Sequence, residues 1–172
     1  PIYDSRMESI FTTFVRNNIF VNHGPIETNE GTVNIGAGIW NYDEQYHEII
    51  SENNCFYDNI AAYKGNNILY SNDVYADPLF SDPSNHDYHL KSTAGRWSDN
   101  GWIVDTVTSP LIDTGHLESD YTNEPEPNGN RINIGRYGNT AEASKSTSDE
   151  PILVYDNRLR EGTPDAILAG NS

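Results

Sequence analysis

Asn53-Asn54-Cys55-Phe56-Tyr57-Asp58 repeats, position for position, the earlier phrase Asn17-Asn18-Ile19-Phe20-Val21-Asn22. A weaker echo follows as Asn66-Asn67-Ile68-Leu69-Tyr70-Ser71-Asn72. The first two copies also correspond upstream, where Phe14 matches Ile50, so the spacing is 36 residues (54 − 18). Phe14, Asn18, Phe20 and Asn22 share one parity, as do Ile50, Asn54, Phe56 and Asp58, and one parity of an extended chain faces one way. A supersecondary unit that recurs in this way buries its apolar face by stacking on its neighbours. The pattern predicts an all-β chain built as a right-handed parallel β-helix, with coils of roughly 20–25 residues.

The surplus over one such coil falls in residues 23–47, which read as a loop excursion dense in Gly24, Pro25, Gly31, Gly36 and Gly38. Long loops on rigid scaffolds are where function concentrates. The repeated Asn has a structural reading. A buried turn leaves backbone polar groups in need of partners, and an inward Asn18 or Asn54 carries both a donor and an acceptor. Stacked on successive coils, such residues form a ladder.

From Asp77 onward the style changes. Asp77-Pro78-Leu79-Phe80-Ser81-Asp82-Pro83 gives two Asp-Pro turns. Asp87-Tyr88-His89-Leu90, Ser109 to Gly115 and Ile132 to Tyr137 read as short strands of a module that caps the open end of the solenoid. Residues 1–140 thus form coils plus cap, and the small polar residues 141–150 a linker. Residues 151–172 read as the truncated opening of a following module, so the chain reads as a piece of a longer protein.

Composition bounds the partners. The formal charge is −16 and the pI about 4.4, which argues against nucleic acid and against anionic membrane surfaces. No apolar run is long enough for membrane insertion. Cys55 is the sole cysteine and takes the place of Ile19 in the repeat, which suits a packed side chain. Open solenoid ends allow a homo-oligomer, but the sequence counts no subunits.

Asp77-Pro78-Leu79-Phe80, Asp87 to Leu90 and Ser109 to Gly115 resemble many secreted parallel β-helix proteins. Gly95-Arg96-Trp97 and Glu124 to Thr140 are similar, more specifically, to the disaggregatase-related domain of Methanosarcina-type archaea. Tyr155-Asp156-Asn157-Arg158-Leu159-Arg160-Glu161 resembles the start of the disaggregatase repeat module that follows that domain. The resemblance implies an extracellular or cell-surface protein that hydrolyses a chondroitin-like envelope polysaccharide and so disperses cell aggregates.

Glycoside hydrolysis takes two carboxyl groups across the scissile bond. Asp43, Glu44 and Glu48 lie close in sequence at the end of the long loop and are the catalytic candidates. Trp40, Tyr42, Tyr46 and His47 flank them as substrate-binding candidates, since aromatic faces stack on sugar rings. Arg96, beside Trp97, is the candidate clamp for a uronate carboxylate. The bland reading of the same loop is a solvated acidic turn with its aromatics folded onto the wall. Arg131 and Arg136 are expected to pair with Glu124, Glu126 or Asp120. Asp77, Asp82 and Asp87 could offer oxygens to Ca²⁺, but as turn residues they need no metal, so no cofactor is expected. The residues leave three functions open: a hydrolase, a non-catalytic polysaccharide-binding module, and a lyase that would need a base beside a carboxylate-neutralising group.

Overall fold

The computed structural model describes residues 10–148 except 30, 34, 35 and 44, together with the backbone of residues 160–161. Side chains of residues 26–28, 32 and 33 also lie outside the description. Among the described residues the chain is all-β, with small and mostly parallel sheets, one 3₁₀ turn at Pro83–Asn85 and no α-helix. No helix of the described residues is long and apolar enough to cross a membrane.

The strands are β1 (Phe11–Arg16), β2 (Ile19–Val21), β3 (Ile26–Thr28), β4 (Gly31–Val33), β5 (Ala37–Trp40), β6 (His47–Glu52), β7 (Cys55–Tyr57), β8 (Ala61–Lys64), β9 (Ile68–Ser71), β10 (Phe80–Asp82), β11 (Asp87–Leu90) and β12 (Arg160–Glu161). β1, β6 and β9 run parallel in one sheet, β2 pairs with β7, and β5 pairs with β8. The repeated strand segments, or rungs, pair in the register the repeat demands, Phe20 opposite Phe56 and Phe14 opposite Ile50. The excursion is smaller than residues 23–47. It contains the antiparallel hairpin β3–β4, and β5 is itself a rung strand whose Ile39 stands opposite Tyr63.

One polar device ties the rungs. The backbone N–H of Asn18 donates to Asn54 Oδ1 at 2.9 Å, and that of Asn54 donates to Asp73 Oδ1 at 2.7 Å. Asn54 Nδ2 donates to Val15 O at 2.7 Å and to Ser51 Oγ at 2.9 Å, so the fully buried amide is satisfied on both sides. The residue before each ladder position, Asn17, Asn53 or Asn72, has φ near +55°, at 59°, 54° and 56°. Asn tolerates this left-handed conformation better than most side chains do. The third rung is therefore Asn72-Asp73-Val74, confirmed by the parallel bridge between Cys55 and Val74. The Asn66-Asn67 echo is out of register, because Ile68 pairs with Ile49 and not with Cys55.

The left-handed residue also resets the alternation. Phe14 does not face inward with Phe20; it is 57% exposed, whereas Val15 and Ile49 pack on the core. Asn22 and Asp58 likewise sit exposed at turns with φ of 58° and 52°. The core proper comprises Ile39, Phe56, Ala62, Tyr63 and Ile68. Aromatic rings continue it from rung to rung, with Phe56 stacked between Phe20 at 5.1 Å and Tyr75 at 5.9 Å.

The module after Asp77 packs along one flank of the rungs. Cys55 lies in a second core with Leu90, Leu111, Ile112 and Ile134, joined by Ile19 and Val74 from the rungs before and after it. Burial there pushes the Cys55 thiol up to about 12. Gly135 N donates to Asn17 O at 2.9 Å, and Asn53 Nδ2 donates to Thr114 O at 3.0 Å. β10 and β11 form an antiparallel pair, but the stretches expected as strands at 109–115 and 132–137 are irregular, joined by single bonds such as Ile134 N to Leu111 O at 3.0 Å. Residues 141–148, expected as the start of a linker, are packed: Ala143, Ser144 and Ser146 are buried, and Ser144 Oγ donates to Leu90 O at 2.5 Å. Small side chains there serve close packing. Of residues 151–172, expected as a truncated module, all but 160–161 lie outside the described residues; β12 pairs antiparallel with β9.

Removing the ladder amide with Asn54→Ala should lower the unfolding free energy by roughly 2–5 kcal/mol, because buried partners lose their bonds; urea denaturation checks this. Asp73 and Glu124 give a pH signature. Burial holds Asp73 up to about 6 from 3.8 and Glu124 up to about 7 from 4.5. The folded chain then keeps protons that the unfolded chain releases. The stability tied to these groups is complete below about pH 4 and is lost as pH rises through 6 and 7. The urea midpoint should fall across that window, and fall less in Asp73→Asn, whose amide oxygen still accepts the Asn54 N–H.

Candidate functional site

The end of β5 and the turn into β6 build an exposed aromatic platform. Asn41 makes the corner. It is buried, its N–H donates to Lys64 O at 2.9 Å, and its Nδ2 donates to His47 O at 3.0 Å and Asn66 O at 2.8 Å. The turn is closed by His47 N donating to Asp43 O at 3.0 Å. On this frame Trp40 and Tyr42 stand edge to face at 5.6 Å, 45% and 85% exposed. Trp40 lies opposite Lys64 in the β5–β8 register, and Lys64 Nζ sits 4.5 Å from the Trp40 ring centroid. Aromatic faces beside an ammonium group suit a sugar that carries an acidic substituent.

The carboxylates are less organised. Asp43 is exposed on the turn, and Glu44 lies outside the described residues. Glu48 sits on β6 opposite Thr12, whose Oγ1 donates to Glu48 Oε2 at 3.2 Å. His47 is exposed, with its ring edge to face with Phe11 at 6.1 Å. Tyr46 is half-buried, and its carbonyl accepts Phe11 N–H at 2.7 Å. The structure thus brings Trp40, Tyr42 and Asp43 onto one turn, with Glu48 just beyond it on β6.

Arg96 and Trp97 belong elsewhere. Arg96 is 8% exposed, with Nε 3.1 Å from Asp105 Oδ2, Nη2 3.3 Å from Asp105 Oδ1 and Nη1 3.6 Å from Asp87 Oδ2. A guanidinium so occupied braces the 96–105 loop and has no free fork for substrate. Trp97 is half-buried and packs edge to face on Trp102 at 5.5 Å.

The other cations divide as sequence alone could not show. Arg131 is buried and reaches backbone carbonyls. Its Nε donates to Gly115 O at 2.6 Å and its Nη2 to Thr114 O at 3.1 Å, with the charge of Asp113 nearby. Arg136 is exposed, 5.6 Å from the Tyr137 ring centroid. Asp77, Asp82 and Asp87 each accept bonds within their own turns, from Leu79 N at 2.8 Å, Ser84 Oγ at 2.6 Å and His89 Nδ1 at 2.6 Å. No group of three or more acidic, His or Cys side chains suited to a metal occurs among the described residues.

A family model described as "Disaggregatase related" matches residues 1–115. The chain belongs to the disaggregatase-related family. No curated protein and no solved structure matches it. The matched part of this disaggregatase-related domain takes in the platform and Arg96, whereas Glu124 to Thr140 and the tail at 155–161 lie beyond it.

Arg96→Ala should destabilise the domain by roughly 1–3 kcal/mol, since it leaves the half-buried Asp105 carboxylate with the Ser92 N–H at 2.9 Å but without its cation. Urea denaturation of the variant measures the loss.

Proposed function

We propose that this disaggregatase-related chain is a stretch of right-handed parallel β-helix that binds an acidic, chondroitin-like polysaccharide at the cell surface. One observation carries the reading: Trp40 and Tyr42 stand together, exposed, with Lys64 at the Trp40 ring. The apolar face of a pyranose ring stacks on such a surface, and a uronate or sulfate pairs with the ammonium group. The four parallel strand pairings and the rung-to-rung ladder support the β-helix reading. Family membership supports the polysaccharide as the partner class, and with it an extracellular location.

Hydrolysis is the second reading, favoured by the position of Asp43 on the platform turn and of Glu48 on the strand that follows. Asp43 or Glu48 would protonate the leaving oxygen and the other would act as nucleophile or base. The platform binds whether or not that chemistry takes place, so binding is the primary reading.

The Trp40→Ala/Tyr42→Ala double variant should lose roughly 5- to 100-fold in affinity for chondroitin, taking about 0.5–1.5 kcal/mol per ring and tenfold per 1.4 kcal/mol. Calorimetric titration measures it. Unchanged affinity in the folded variant would remove the platform from the site. New reducing ends formed by the wild type and lost in Glu48→Gln would establish the hydrolytic reading, and their absence from a chain that binds would leave a binding module.

A further inference from the structure

We infer that the seam between the rungs and the flanking module is a second binding site for an anionic sugar chain, separate from the Trp40 platform. A groove of about 460 Å³ runs where β2 and β7 end and the module begins, within the roughly 300–1,000 Å³ usual for ligand pockets. Tyr57, Phe80 and Tyr88 line it with Lys91. At Val21, Phe80 and Tyr88 it meets a wider recess of about 750 Å³ along β2, which carries Arg136. The two spaces are neighbours, with those three residues lining both.

Charge identifies the occupant. In a chain of net −16, carboxylates outnumber cations 26 to 10, so a cation without an acidic partner is a selected feature. Arg16 pairs with Glu52 at 2.6 Å, Arg96 with Asp105, and Arg131 with the carbonyls of Thr114 and Gly115. Lys64 and Lys145 lie on the rings of Trp40 and Trp102. Lys91 and Arg136 make no salt bridge among the described residues, Arg136 lying 5.6 Å from the Tyr137 ring centroid, and they line these two recesses. The one carboxylate lining these recesses, Asp77, accepts the N–H of Leu79 at 2.8 Å. The walls thus offer aromatic faces for sugar rings and two positive groups for carboxylate or sulfate. Neighbouring recesses of this kind suit successive units of an extended anionic chain.

The experiment uses the intact chain and four forms: wild type, Lys91→Ala/Arg136→Ala, Trp40→Ala/Tyr42→Ala, and all four substitutions together. Each is titrated with chondroitin sulfate, and with a carboxyl-reduced, desulfated chain as the neutral control. Lys91 and Arg136 brace no ion pair, so circular dichroism should show every form folded. The inference expects Lys91→Ala/Arg136→Ala to lower affinity for the anionic chain at least fivefold. It also expects residual binding in Trp40→Ala/Tyr42→Ala that disappears in the fourfold variant. Wild-type affinity in Lys91→Ala/Arg136→Ala, or equal binding of the neutral chain, overturns it while leaving the platform reading intact. Loss confined to Lys91→Ala/Arg136→Ala overturns the platform instead. A wild type that binds neither chain overturns both.

Discussion

The structure depends on one hydrogen bond made repeatedly: a backbone N–H on one rung donating to a side-chain oxygen on the next. Asn18 N to Asn54 Oδ1 and Asn54 N to Asp73 Oδ1 are two instances of it. The bond sits where the chain leaves one sheet for another, so the backbone groups freed at that corner would otherwise be buried without partners. It also fixes which residue lies above which. Once the corner is in register, Phe20, Phe56 and Tyr75 must stack, and Ile19, Cys55 and Val74 must align on the opposite face. That second face is the one the module covers. The same constraint thus positions both the interior and the seam.

How much of this the sequence displays follows from how the constraint is met. Where two rungs use the same amide, as at Asn18 and Asn54, the repeat is legible to the residue. At the third rung Asp73 supplies the same acceptor oxygen, but the letter changes and the spacing shortens from 36 residues to 19 (73 − 54). Identity then points to Asn66-Asn67, which the pairing of Ile49 with Ile68 rules out. Parity was misleading for a related reason: counting by twos from Phe20 to Phe14 crosses Asn17, whose φ of 59° turns the chain. β5 was hidden by its glycines, since Gly36 and Gly38 read as loop breakers. They are there because a Cβ at Gly38 would lie 2.7 Å from the Phe56 ring, and one at Gly36 would lie 1.9 Å from His23 O.

The candidate site was half legible, and the division is physical. Trp40 and Tyr42 are neighbours in sequence, so their grouping on one turn could be anticipated. Lys64 reaches Trp40 only because β5 and β8 pair in register, 24 residues apart. Arg96 looked free because Asp105 and Asp87 approach it from either side of a loop whose course the sequence does not give. Lys91 and Arg136 are 45 residues apart, and they come to neighbouring recesses because the module packs against Ile19, Cys55 and Val74. In each case the missing information was a long-range pairing, which local composition does not encode.

The strong negative charge and an anionic partner are compatible once distance is considered. At physiological ionic strength, charges on the surface are screened beyond about 8 Å. A sugar chain lying against Lys64, or against Lys91 and Arg136, therefore responds mainly to those groups, and distant carboxylates contribute little. Several acids are also kept away from surface chemistry: Arg16 neutralises Glu52, Arg96 neutralises Asp105, and burial drives Asp73, Asp113 and Glu124 toward their protonated forms. On the proposed reading, a polyanionic ligand is held where an aromatic face and a cation coincide and is repelled by exposed carboxylates such as Asp43. Specificity of this kind comes as much from the repulsive surroundings as from the attractive contacts.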